Sequence, residues 1–256
     1  MRSADDHRRL VESYLDELAL TPELGGLEAA MRYALGGGGK RIRPVLCLAT
    51  GEALGCPPET LLPAAAAVEL VHTFSLVHDD LPALDDDAMR RGRASTHVQF
   101  GEALGVIAGD ALLAEAFRLA LTYPTPSVAR ELAAATLGMI GGQYLDLTEQ
   151  DEDEAAVHRL KTGSLFGAAI GCALWVAEVP ERKQQPWRAL ACEIGLLFQI
   201  VDDILDGDGL AESHGLDGAR LLADAAVDRA EAALAELTAD ISVLAEIVSS
   251  VAARTS

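Results

Sequence analysis

An all-α fold is predicted for this 256-residue chain by three features. Half of its residues are apolar but only 4% are aromatic, and alanine and leucine dominate, a composition that favours helix over sheet. Apolar residues recur at helical spacing through successive segments, beginning with Leu10, Val11, Tyr14, Leu15 and Leu18. Proline and glycine clusters punctuate those segments at intervals suited to helix ends. The length suits one domain, residues 1–256, with a substantial core, and no linker or meaningful repeat divides it.

Taken in order, the first helix is expected over residues 5–19. Thr21-Pro22-Glu23 reads as a second start, with a cap, a proline in the first turn and an acid beside the positive helix end. That helix runs to Leu35 and stops at Gly36 to Gly39. A third, 41–54, ends at Gly55 and Pro57-Pro58, and a fourth covers 59–79. Further helices are expected over 101–121, up to the prolines Pro124 and Pro126, and over 127–148. Adjacent glycines Gly141 and Gly142 inside the latter cost about 2 kcal/mol against alanine, so close packing of a helix or a ligand is expected there. A shorter helix begins at Asp151 to Glu154 and carries Lys161-Thr162-Gly163, either a break between helices or a phosphate contact. Helices 164–177, 187–206 and 217–250 follow, with a surface loop from Val179 to Pro186 and a polar, glycine-rich loop from Asp206 to Gly218.

The formal charge of −20 argues against nucleic acid as a partner. Cys47, Cys56, Cys172 and Cys192 lack metal-ligand spacing and read as small buried apolar residues in a reducing compartment. The charged N-terminus, MRSADDHRRL, has no signal-peptide core. The apolar run from Ser164 to Ala177 is too short to span a bilayer, so integral membrane association is not expected and a cytoplasmic location is.

Two acid clusters stand against this background. The first places Asp79, Asp80, Asp85, Asp86 and Asp87 within nine residues, followed by Arg90, Arg91 and Arg93. Pro82 should end the helix near Asp80 and gather Asp79, Asp80 and Asp85 around one point. Two carboxylates about 4 Å apart repel by roughly 4 kcal/mol at an effective dielectric near 20, a repulsion relieved by raised pKa values or by bound cations. Carboxylate oxygens suit Mg²⁺, and guanidinium suits phosphate. An exposed acidic helix end would also carry such a run. The second cluster favours the metal reading: Gln199, Asp202, Asp203 and Asp206 share one stripe of an otherwise apolar helix. A third motif, GGGGKRIRP, brings Lys40 and Arg43 to a glycine turn at a helix start, which is either an anion site or an ordinary basic turn.

Together these motifs resemble the trans-isoprenyl diphosphate synthases, the farnesyl and geranylgeranyl diphosphate synthase family. Asp79-Asp80-Leu81-Pro82-Ala83-Leu84-Asp85 resembles the first aspartate-rich motif and Asp202-Asp203-Ile204-Leu205-Asp206 the second. GGGGKRIRP, VELVHTFSLVHDDLP, GGQYLDL, KTG and FQIVDD add to the likeness, which runs from about residue 10 to the last helix. The resemblance implies an isoprenoid synthase-type bundle of long helices around a central cavity, usually homodimeric. It implies Mg²⁺ as cofactor, roughly three ions with substrate bound, on Asp79, Asp80, Asp85, Asp202, Asp203 and Asp206. Lys40, Arg43, His72 and Arg91 would bind the diphosphate of isopentenyl diphosphate. Arg90 and Lys161 would grip the allylic diphosphate, with Thr162 and Gln199 beside the ionising carbon.

The implied reaction breaks the allylic C1–O bond, adds isopentenyl diphosphate to the cation and passes a proton to the departing pyrophosphate. Neither His72 nor His78 is therefore assigned as a general base. In this family the residues before the first motif floor the tunnel that receives the product, so Phe74 implies a C15 product, farnesyl diphosphate. The chain also departs from the pattern. The segment after Asp206 lacks the family's lysine-bearing loop, no lysine follows Lys183, and Ala88 stands where a further aspartate is common. A geranylgeranyl diphosphate synthase, a non-catalytic subunit of a heteromeric prenyltransferase, and a terpene cyclase or diphosphate hydrolase stay open beside the farnesyl reading.

Overall fold

The computed structural model describes residues 2–148 and 159–255. Among them the chain forms eleven α-helices and a single two-stranded ribbon. The helices are α1 (Ala4–Glu17), α2 (Glu28–Leu35), α3 (Ile42–Ala53), α4 (Pro58–Asp79), α5 (Thr96–Phe100), α6 (Glu102–Ala120), α7 (Ser127–Thr148), α8 (Ser164–Val176), α9 (Gln185–Asp206), α10 (Gly209–Ala235) and α11 (Ser242–Ala252). The fold is all-α, as the composition and periodicity predict. The helix start expected at Asp151 to Glu154 lies outside the described residues.

The core is organised on α4, which packs against α3, α6 and α8, while α7 lies along α8 and α10 along α9. Buried apolar side chains run continuously from Val11 to Val251. Helix α4 has no single polar face, as expected of a helix surrounded by others. It is long and apolar enough to cross a bilayer, with a mean hydropathy of 1.5 in its most apolar window, yet 67% of that window is buried inside the protein. Glu69 interrupts its uncharged run.

Several boundaries differ from expectation. Residues Pro22–Leu27 form a 3₁₀ turn, broken by Gly25 at φ 52°, and the regular helix starts at Glu28. The expected loop after Asp206 is short: Gly207 closes α9 in the left-handed region and α10 starts at Gly209, bending at Gly215. The expected last helix is two, α10 and α11. Strands β1 (Met89–Arg90) and β2 (Arg93–Ala94) pair antiparallel around Arg91-Gly92, both at positive φ. Cys192 is exposed rather than buried, whereas Cys47 and Cys172 sit in the core.

Candidate active site

Helix α4 ends where the first acid cluster begins. The chain then folds back on itself: the Asp85 amide donates to the Asp79 carbonyl at 2.9 Å, and the Asp86 amide to the Leu81 carbonyl at 3.2 Å. Pro82 permits this turn because the helix has already stopped. The acid side chains then part company. Asp80 is 2% exposed and accepts from Arg90 Nε at 2.8 Å, while Arg90 also reaches Asp87 at 2.9 Å. Asp79 instead lines a cavity of about 400 Å³ with Phe74, Met139, Ile140, Gln143, Lys161, Thr162 and Leu165. Burial pushes its carboxyl up to about 6; Lys161 opposes the rise and Asp85 adds to it.

A second cavity, of about 270 Å³, adjoins the first, and Arg43 and His72 belong to both walls. Lys40, Arg41, Arg91 and Arg254 supply further positive charge, against Glu69 and Asp202. The glycine turn explains the crowding of cations. Gly39 sits at φ 123° with the Arg91 guanidinium so close that a Cβ would lie 2.9 Å from its central carbon. Arg91 also donates to the Gly38 carbonyl. Lys40 precedes the helix rather than opening it, since Arg41 takes a left-handed conformation and α3 starts at Ile42. Arg43 nevertheless shares the cavity. It stacks over Phe166 at 4.6 Å and donates to His72 Nε2 at 3.4 Å. Burial, and then the positive charges of Arg43 and Arg91, hold the His72 imidazole well below its usual pKa. The ring is therefore neutral at pH 7, with Nε2 accepting and the proton on Nδ1.

On α9 the stripe splits. Asp202 faces the basic cavity and pairs with Arg254 at 2.9 Å. Asp203 is buried and lines neither cavity: it accepts from Gln199 Nε2 at 2.6 Å and from the Leu210 amide at 3.1 Å, fixing the start of α10. Asp206 is exposed at the end of the helix. Gln199 in turn accepts from Thr162 Oγ1 at 2.6 Å, so a chain of hydrogen bonds joins the wide turn at 159–163 to α9 and α10. Lys161 pairs with Asp146 at 2.6 Å. Of the two glycines in α7, Gly142 meets the Lys161 backbone, where a Cβ would fall 2.4 Å from the amide nitrogen, whereas Gly141 faces nothing within 4 Å.

The donor set fits a hard dication. Asp79 is a carboxylate at a cavity wall whose pKa is raised first by burial and further by the neighbouring Asp85 and Asp80, and a bound cation would offset both. Among the described residues no three His, Cys, Asp or Glu side chains already converge on one point. Asp80 is engaged by Arg90, Asp202 by Arg254 and Asp203 by Gln199.

Two residues at these cavities escaped the sequence reading of the site. Gln143 lines the larger cavity with both side-chain amide atoms buried and unpartnered among the described residues. Its signal was a polar residue directly after Gly141-Gly142 in an apolar helix. Arg254 had no local signal, because only the return of the C-terminus places it beside Asp202.

The family profile described as Polyprenyl synthetase matches residues 25–221. The chain is 42% identical over 192 residues to a geranylgeranyl diphosphate synthase of Cyanophora paradoxa, covering 69% of this chain and 64% of the relative. It is 37% identical over 226 residues to a farnesyl diphosphate synthase of Bacillus subtilis (strain 168), covering 82% of this chain and 76% of the relative. In structure it is similar to a geranyltransferase from Legionella pneumophila, with a TM-score of 0.85 and 32% identity over 98% of this chain and 96% of the other.

Proposed function

Because the chain belongs to the polyprenyl synthetase family of trans-isoprenyl diphosphate synthases, we propose that it condenses isopentenyl diphosphate with allylic diphosphates and releases mainly the C15 product, farnesyl diphosphate. One observation carries this reading. An apolar cavity edged by Asp79 and a basic cavity edged by Asp202 share Arg43 and His72 as a common wall. Two diphosphates, one on a growing hydrocarbon and one on a five-carbon unit, need such a pair of adjoining sites.

The allylic tail lies in the apolar cavity, with its head near Lys161 and Arg90. Lys40, Arg43 and Arg91 hold the other diphosphate, and neutral His72 orients Arg43. Mg²⁺ held by Asp79, Asp85 and Asp202 would neutralise charge on the leaving pyrophosphate. As the allylic C1–O bond breaks, the oxygens of Thr162 and Gln199 face the developing cation, and Lys161 and Arg90 stabilise the charge on the departing group. The isopentenyl double bond then attacks C1, and the proton lost from the new chain passes to pyrophosphate. Met139 and Leu165, both buried, give the cation an apolar wall.

Phe74 supports the C15 limit. Its ring is 8% exposed, lines the apolar cavity and packs edge-on against His78 at 4.9 Å. Exposed Val98, Leu104, Val106 and Ile107 on α5 and α6 support a homodimer. The continuous core supports one domain over residues 1–256, and four free cysteines suit a cytoplasmic setting. The absent lysine-bearing segment favours a second reading, a non-catalytic subunit. Labelled isopentenyl diphosphate incubated with each allylic diphosphate and Mg²⁺ separates the two. Incorporation ending at C15 is expected; no incorporation with any allylic partner refutes the enzyme reading, and accumulation of C20 refutes the chain length.

A further inference from the structure

Arg41 stands apart from the other cations of the basic cavity because every nitrogen of its guanidinium is already bonded to the protein. Its side chain is 1% exposed. Nη1 donates to Glu69 Oε1 at 2.5 Å, Nε to Glu12 Oε1 at 2.9 Å, and Nη2 to the Leu35 carbonyl at 2.5 Å. These bonds tie α1, the end of α2 and α4 to a residue held at φ 48°. Glu69 is 1% exposed and stands in the cavity wall beside Arg43, His72 and Arg91. Its charge acts on Arg43 and Arg91 as well as on Arg41. Arg43 keeps a buried Nε with no partner among the described residues.

A buried carboxylate deprived of its partner carries a large desolvation cost and takes the nearest cation. At Glu69 the cations next in line are Arg43 and Arg91, the groups assigned above to the diphosphate of isopentenyl diphosphate. We propose that Arg41 is a positioning residue for that site: by occupying the Glu69 carboxylate it leaves Arg43 and Arg91 free for the anion. Glu12 needs no such protection, since its side chain is 37% exposed and water can solvate it. The inference rests on the assignment of the basic cavity to a diphosphate.

The test compares wild type, Arg41→Met, Glu69→Gln and the double variant. Two readouts are taken: the Kd of inorganic pyrophosphate in metal-free buffer, and kcat with separate KM values for isopentenyl and allylic diphosphates. Arg41→Met should raise the pyrophosphate Kd and the isopentenyl KM about tenfold, with kcat and the allylic KM within about twofold of wild type. Adding Glu69→Gln should return both values to within about threefold, because a neutral amide does not capture a guanidinium. A double variant no better than Arg41→Met overturns the inference, as does a single variant that loses kcat and both KM values alike. If Arg41→Met does not fold, Glu69→Gln decides: its isopentenyl KM should stay at or below wild type, and a rise overturns the inference. Wild type that binds pyrophosphate without incorporating isopentenyl diphosphate refutes the enzyme reading alone, and the pyrophosphate Kd still tests the charge argument. Wild type that binds no pyrophosphate overturns both.

Discussion

Replacing Asp79 by asparagine should make the protein more stable without metal and less active with it. In the folded chain this carboxyl holds its proton up to about pH 6, against 3.8 for the free group, chiefly because of burial. A folded-state pKa above the unfolded one means that ionisation favours the unfolded chain. The contribution to stability is intact below pH 3.8 and is lost as pH rises through about 6. At about 1.4 kcal/mol per pH unit the full loss is about 3 kcal/mol, and solvent in the open cavity reduces this to about 2 kcal/mol. Asparagine resembles the protonated acid and never ionises. Urea unfolding without Mg²⁺ should therefore show Asp79→Asn stabilised by about 2 kcal/mol at pH 7.5, and by about half as much at pH 5. Isopentenyl incorporation should fall in the same variant, because a candidate metal ligand has gone. Equal stability in the two proteins, or a gain that does not change with pH, refutes the electrostatic account of this site.

Other substitutions read other parts of the site. Phe74→Ala removes the ring from the apolar cavity, so chain-length analysis should show products beyond C15; an unchanged product removes the floor assignment. Gly142→Ala drives a methyl group into the Lys161 backbone and should cost about 1–3 kcal/mol by thermal unfolding, with a raised allylic KM; the same change at Gly141, which faces open space, should be tolerated. Gln199→Leu cuts the link from Thr162 to Asp203 and should lower kcat about tenfold or more while leaving the isopentenyl KM near wild type.

The helices were legible because apolar spacing is local, and their ends were less so because caps are often tertiary. The loop expected after Asp206 is a case in point. Glycine-rich and polar, it reads as irregular, yet Asp203 accepts from the Leu210 amide and starts α10 almost at once. The ribbon at Met89–Ala94 was missed because its strands are two residues long and its turn depends on Arg91 and Gly92 at positive φ. Within the site, spacing on α9 suggested one acidic stripe. Neighbours decide otherwise: Gln199 and Leu210 hold Asp203, and Arg254 holds Asp202. The basic turn was visible as a motif, but the role of its glycines as a seat for Arg91 was not, since Arg91 lies some fifty residues away in sequence.

Arg254 shows how a residue far along the chain brings a cation to the second acid cluster. No lysine follows Lys183, yet the turn after α11 brings this guanidinium to 2.9 Å from Asp202 and 5.4 Å from the Phe198 ring centre. One of its nitrogens, Nη1, is buried without a partner among the described residues, and the residue lines the cavity shared with Lys40, Arg43 and Arg91. Its charge would therefore act in two opposed ways, competing with any metal at Asp202 and adding to the attraction for an anion in the cavity. Arg254→Met should tighten Mg²⁺ binding and weaken metal-free pyrophosphate binding, each by about three- to tenfold, with the pyrophosphate effect shrinking as salt rises. Titration of the two ligands separately reads both signs. If both affinities move in the same direction, Arg254 acts through packing on Phe198 and not through its charge.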